Sequence, residues 1–282
     1  MAKTKLSDKQ AIGRKLLSIL KKQYPGSPPR QDRPVLETIL YAVCLEDASP
    51  EQAEAAYQRL HSEFHDLNEV RVSSISELSV AFAGLPHPEF RAQEVRSALG
   101  YIFEKSVVSE RREAFEFDSL EKMTLEQAVK QLGKIRDLSE FVRAWTLQTV
   151  LGSHLVPADR SLTNAAVWLG LLPPGTTSET ASEALKSAVR KADVPVFCYY
   201  LRRLATDPRL AEAFNVSKTP PPEGGYDPAA APERLVELLK SARSRKKKPP
   251  GGKASKPGRA SGRDGKKSGA SAKKRSGSAS AR

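Results

Sequence analysis

Residues 132–172 read LGKIRDLSEFVRAWTLQTVLGSHLVPADRSLTNAAVWLGLL, and the fold turns on how this stretch is read. It resolves into a helix from Asp137 to Leu151, a loop to Pro157 and a second helix from Asp159 to Leu171. Asp137 and Glu140 have the spacing of a capping box, and Asp159 before Arg160-Ser161-Leu162 has the makings of an N-cap. Working outward, Ser49-Pro50-Glu51-Gln52 and Thr124 with Gln127 give two further capped starts, and Ser7 with Gln10 a third. Helical spacing also covers Arg33–Leu45, Ala53–Phe64, Ile75–Phe82, Glu89–Lys105, 178–192 and 194–206, with turns at Tyr24-Pro25-Gly26, Gly84-Leu85-Pro86 and Pro173-Pro174-Gly175. No segment alternates apolar and polar residues as a strand would, so the fold class is all-α.

Charge divides the chain. It carries a net +13, yet Lys240 to Arg282 holds 16 Lys/Arg and one acid, Asp264, leaving −2 for everything before it. The folded part therefore has no global positive field for a polyanion. After Arg245 no aliphatic side chain larger than Ala occurs, so residues 245–282 cannot bury a core and are expected to be a disordered Lys/Arg-rich tail. The boundaries that follow are a basic N-terminal helix over 1–30, a helical domain over 31–206, a proline-rich linker with a short helix over 207–244, and the tail. No apolar run is long enough to span a bilayer, the first residues read as a helix start, and two cysteines, Cys44 and Cys198, are too few for a metal or iron–sulfur site. The expectations are no membrane, no cofactor, no metal, a monomer and a reducing cytoplasmic compartment with association to a nucleoid or chromatin.

Pro157-Ala158-Asp159, Leu169-Gly170-Leu171 and the turn before Phe141 resemble the helix–hairpin–helix DNA glycosylase superfamily, its endonuclease III branch in particular. Gly84-Leu85, Arg91-Ala92 and Pro173–Thr177 extend the likeness over roughly residues 34–206. The resemblance implies a two-lobed helical fold, DNA as partner, base-excision chemistry, and Asp159 as the catalytic carboxylate. The departures are informative. The hairpin glycines fall on Asp137 and Ser139, the hairpin proline on Arg136, the Schiff-base lysine on Phe141, and the histidine after the aspartate on Ser161. Phe141 is no nucleophile, so an active enzyme would release a base without efficient lyase chemistry. By the same register Glu46 and Phe141 are base-pocket candidates, and Arg136, Ser139 and Arg143 are DNA-binding candidates at the hairpin.

Each assignment has a structural rival. Asp159 serves equally as an N-cap. Asp137, paired with Glu140, would itself occupy the N–H groups that glycines leave free for a phosphate, which favours an ordinary capped helix. Glu46 reads as an exposed helix end, Trp145 and Trp168 as core, and His61, His65, His87 and His154 as surface residues. In the tail, Lys246, Lys247, Lys248, Lys266, Lys267, Lys273, Lys274 and Arg275 would bind DNA through counterion release without sequence preference. Two functions stay open: a monofunctional N-glycosylase using Asp159, or a catalytically inactive DNA-binding or chromatin-associated protein anchored by its tail.

Overall fold

Six helices begin where a short polar side chain closes onto the backbone N–H three residues ahead: Ser49, Asp66, Ser74, Thr124, Ser139 and Asp159. The computed structural model describes residues 6–29, 32–108, 115–216 and 218–246, and among them there is no strand. The helices are α1 (Leu6–Gln23), α2 (Val35–Leu45), α3 (Pro50–Glu63), α4 (Leu67–Val72), α5 (Ile75–Ala81), α6 (Pro88–Val108), α7 (Leu125–Leu132), α8 (Glu140–Leu151), α9 (Arg160–Trp168), α10 (Ser178–Ala184), α11 (Val194–Ala205) and α12 (Ala231–Lys246). The all-α expectation holds.

The apolar residues sort into two cores. In α2 every residue except Glu37 is buried, so it is apolar around its whole circumference and must sit at a centre. Helices α3 to α8 surround it, with α2 packed chiefly on α8 and α3, and α5 and α4 on α6. The second core joins α1, α9, α11 and α12. Residues 1–30, set apart from 31–206 in the sequence reading, thus supply α1 to the second lobe, and α12 begins within 207–244 and runs on to Lys246, past the expected start of the tail. The irregular stretch after α11 is packed as well: Leu210 and Phe214 are buried, and Phe214 meets Trp168 edge-on at 5.6 Å.

Two glycines fit these crossings. Gly170 has φ +72°, and a Cβ there would lie 2.5 Å from the Tyr226 carbonyl oxygen, so neither the backbone nor the space admits a side chain. Gly13 in α1 lets the Ala188 carbonyl approach to where a Cβ would stand at 2.2 Å.

Several boundaries shift from the sequence reading. Helix α8 begins at Glu140, not Asp137, because Ser139 is its cap. Helix α10 stops at Ala184 and gives way to 3₁₀ turns at Leu185–Ser187 and Lys191–Asp193. The short α4 has too few residues to show a period and was not foreseen. The Ser7–Gln10 cap lies partly outside the described side chains. No helix among the described residues is long and apolar enough to cross a membrane.

Candidate functional site

Three neighbouring features form the candidate site: the hairpin before α8, the buried carboxylate at the start of α9, and a cavity between the lobes.

The hairpin keeps a glycine-like backbone without a glycine. Asp137 sits at φ +59°, a left-handed conformation that Asp tolerates better than most residues. Its carboxylate does not cap α8. It accepts hydrogen bonds from Gln93 Nε2 (2.9 Å) and Ser97 Oγ (2.8 Å) on α6, and these two bonds hold its pKa below the usual range. The capping box expected of Asp137 and Glu140 is therefore corrected. Asp137 has side-chain donors within reach on α6, whereas Ser139 lies one residue before the first helical turn. Ser139 Oγ accepts from Val142 N (3.2 Å) and donates to Glu46 Oε2 (2.9 Å), while Ser139 N donates to Glu94 Oε1 (2.7 Å).

Both polar groups of Ser139 thus point inward, and the residue is not placed to meet a phosphate. Arg136 is exposed. Arg143 is half-buried and leans on Glu140 (3.5 Å) and the Ile135 carbonyl (3.5 Å).

Beneath the hairpin lies a pair of acids that sequence reasoning missed or misplaced. Glu46 is not an exposed helix end but a half-buried acceptor for Ser139. Burial pushes its pKa up to about 8, with the negative charges of Glu94 and Asp159 adding to the effect. Glu94 on α6 is fully buried, and burial raises it to about 7. Its Oε2 has no partner. Arg91 is spent elsewhere: Nε donates to the Pro86 carbonyl (2.7 Å), and its two terminal nitrogens donate to the Val43 and Glu46 carbonyls. A cation there suits the negative C-terminal end of α2.

Asp159 is sealed. It is 1% exposed. Its Oδ1 accepts from Leu162 N (2.8 Å), and its Oδ2 accepts from Asp47 N (2.8 Å) and Arg202 Nη1 (2.6 Å). Asp47 returns the contact across the lobes by accepting from Ser161 N (2.7 Å), at a φ of +50°. Burial and the adjacent Asp159 charge raise the Asp47 pKa. Two carboxylates therefore satisfy the N–H groups that begin α9, where the helix dipole favours negative charge. Arg202 Nη1 also donates to the Leu45 (2.8 Å) and Ala48 (3.3 Å) carbonyls, so one guanidinium holds α2, α9 and α11 together. The cap reading of Asp159 describes these contacts. The catalytic reading meets an obstacle, since no oxygen of this carboxylate is open to a reacting sugar.

The cavity has a volume of about 170 Å³. Its walls are Tyr41 and Leu45 of α2, Trp145, Gln148 and Thr149 of α8, and Cys198, Tyr199 and Arg202 of α11, with Pro28, Pro29, Pro50 and Pro195 completing the lining. Neither base-pocket candidate lines it. Glu46 turns toward the hairpin, and Phe141 is buried behind Arg202, whose guanidinium lies 4.7 Å from its ring. Trp145, expected in the core, is a wall residue instead. Its position one helical turn after Phe141 was the available signal. Cys198 borders the cavity with a thiol that burial pushes up to about 12, so it is a poor nucleophile.

Among the described residues no group of three His, Cys, Asp or Glu could hold a metal ion, and His61 is bound to Glu37 (3.1 Å). Lys246 ends α12. Lys247, Lys248, Lys266, Lys267, Lys273, Lys274 and Arg275 lie outside the described residues.

No family model matches the chain, and no curated protein matches its sequence. Solved structures do match it in fold. A non-covalent endonuclease III–DNA complex shares 14% identity over 85% of this chain and 99% of that one, with a TM-score of 0.50. A trapped endonuclease III–DNA covalent intermediate, an estranged-adenine complex, shares 12% over 70% and 85%, with a TM-score of 0.49. The 3-methyladenine DNA glycosylase of Schizosaccharomyces pombe in complex with abasic DNA shares 17% over 72% and 98%, with a TM-score of 0.45. The chain has an endonuclease III-like helical fold.

Proposed function

We propose, from an endonuclease III-like fold whose carboxylate is locked, that this chain is a DNA-binding protein of the base-excision repair type that does not release bases. The observation that carries the proposal is the Asp159–Arg202 contact at 2.6 Å, with both side chains at most 3% exposed. To stabilise charge developing on a sugar, Asp159 would have to lose Arg202 and Asp47 N. Opening a buried ion pair costs about 3–5 kcal/mol. With Phe141 in place of a nucleophile, neither lyase nor unassisted hydrolytic chemistry has a ready group.

What the fold retains is a surface and a recess. The cavity between the lobes is of a size and wall composition suited to a planar base lifted out of the stack. The hairpin is a weak phosphate site: Ser139 N is taken by Glu94, and Asp137 and Glu140 add negative charge outside. Most of the affinity is therefore assigned to the residues after Lys246, which carry 12 Lys/Arg and one Asp. Their attraction is non-specific and steeply salt-dependent.

The test compares full-length protein with residues 1–246 on duplexes containing uracil, oxidised pyrimidines, alkylated bases or mispaired adenine. The expected result is no base release by either form. Affinity should fall at least tenfold on truncation, with a shallower dependence on salt. The rival reading, a monofunctional N-glycosylase, predicts release that Asp159→Asn abolishes. That outcome would overturn the proposal.

A further inference from the structure

We infer, resting on the proposal that the chain binds DNA, that the outward face of α1 is a docking surface for the phosphate backbone of a duplex. It adds a folded surface to the basic chain that leaves α12.

The net −2 before Lys240 hides an uneven layout. Helix α1 carries five Lys/Arg against one acid. Four of the five, Arg14, Lys15, Lys21 and Lys22, are exposed, and the exposed Ser18 lies between them. At 3.6 residues per turn these five side chains fall on one face. The opposite face, Ile12, Leu16, Leu17 and Leu20, is buried in the second core. The acid, Asp8, stays in the first turn, where the helix dipole favours it.

Elsewhere cations of the two lobes meet acids. Arg33 pairs with Glu54 (2.9 Å), Lys186 with Glu183 (2.5 Å) and Arg203 with Glu51 (3.1 Å). Among the described residues Arg14, Lys15, Lys21 and Lys22 have no such partner. Asp193, which shares a small cleft with Arg14, is taken by Arg190 (2.8 Å). Four like charges held on one rigid helix make a local positive potential that an anionic partner relieves.

The spacing and the burial identify that partner. Arg14 to Lys22 spans about 12 Å along the helix. Phosphates on one strand of a duplex advance about 3.4 Å each along its axis, so the face matches a run of about three or four. Ser18 adds a hydroxyl of the kind that contacts phosphate oxygens. A lipid surface is a poor match. A helix that lies on a bilayer buries its apolar face there, and that face of α1 is committed to the core. The tail supplies continuity. Helix α12 packs beside α1, and Arg243 Nη2 donates to Gln23 Oε1, so the C-terminal ends of the two helices lie together. Lys240 and Arg243 are exposed near that end, and the chain runs on from Lys246 into residues with 12 Lys/Arg. A duplex seated on α1 is thus held close to the tail, which raises the tail's effective concentration.

Fluorescence anisotropy of the full 282-residue chain on an undamaged duplex, repeated across salt concentrations, reads affinity and the number of phosphates engaged. Lys21→Gln/Lys22→Gln should reduce the slope of log affinity against log salt by about 2. Adding Arg14→Gln/Lys15→Gln should bring the reduction to about 3–4, with affinity down by about tenfold or more near physiological salt. Lys21→Arg/Lys22→Arg keeps the charge and should keep both readings. Lys122→Gln/Lys130→Gln removes two exposed cations of the other lobe and should leave the slope unchanged. An equal loss in that control overturns the inference, because net charge alone would then explain it. So does an equal loss in the arginine variant, which would make the lysines structural. Binding to phosphatidylserine vesicles that depends on the α1 cations, with duplex binding unmoved, overturns it as well. If the fourfold glutamine variant binds the duplex with wild-type affinity and slope, this inference fails and the functional proposal stands. If the wild-type chain binds no duplex, both fail.

Discussion

Replacing Asp159 by Asn separates a structural carboxylate from a catalytic one. In the folded chain Oδ1 caps α9 through Leu162 N, and Oδ2 takes Asp47 N and Arg202 Nη1. An asparagine can keep its oxygen on Leu162 N, but its amide nitrogen then faces two donors. Turned over, it satisfies Asp47 and Arg202 with a neutral oxygen and loses the cap. In the first arrangement two charge-assisted bonds are lost, each worth about 1.5–3 kcal/mol. In the second a cap worth about 1 kcal/mol goes, and Arg202 is left buried without its counter-ion.

Either way the loss is about 3–6 kcal/mol, a large share of the roughly 5–15 kcal/mol that holds a domain together. Urea unfolding of the full chain should show a lower midpoint with an unchanged slope. Arg202→Met should cost a similar amount. The double variant should cost about 2 kcal/mol less than the sum, because the two side chains act as one unit. A midpoint shift below about 0.5 kcal/mol for Asp159→Asn, or additive losses in the cycle, would refute the structural assignment.

The hairpin acids should make stability fall with rising pH. Glu46 and Glu94 have folded pKa values raised to about 8 and about 7. Above the unfolded carboxylate range the native state binds more protons than the unfolded chain, so their contribution weakens as pH climbs toward 8. Urea midpoints at pH 5 and pH 8 should differ more in the wild type than in Glu46→Gln/Glu94→Gln; an equal difference would count against the raised values. Asp137→Gly suits the left-handed backbone at φ +59° and removes the exposed negative charge at the hairpin. In residues 1–246 it should tighten duplex binding several-fold at low salt, read by fluorescence anisotropy, and no change would clear Asp137 of blocking a phosphate. Gly13→Ala would place a Cβ 2.2 Å from the Ala188 carbonyl, so α1 must shift. A loss of about 1–3 kcal/mol by thermal unfolding is expected.

Much of the architecture was local and therefore legible. Ser49, Thr124 and Asp159 announce their helices because a cap acts within four residues of its own position. The all-apolar run of α2 announces a central helix, since such a run can only be buried. The register from Pro157 to Leu171 places the start of α9. Local rules failed where two partners competed. Asp137 and Ser139 both carry capping side chains, and nothing nearby in sequence says that Gln93 and Ser97, 44 and 40 residues away, claim the first.

The candidate site belongs to the tertiary structure for the same reason. The sequence by itself determined that the chain is helical, that its positive charge collects after residue 240, and that Asp159 begins a helix. It could not say whether Asp159 faces a cleft, because that depends on Asp47 and Arg202, 112 and 43 residues away. Nor could it distinguish Glu46 as an exposed end from Glu46 as a half-buried acceptor, or Trp145 as core from Trp145 as a cavity wall. Caps and periodicity are interactions between neighbours in the chain. Burial, ion pairing and the cavity between the lobes arise only when helices from both lobes meet, and those contacts decide what the aspartate can do.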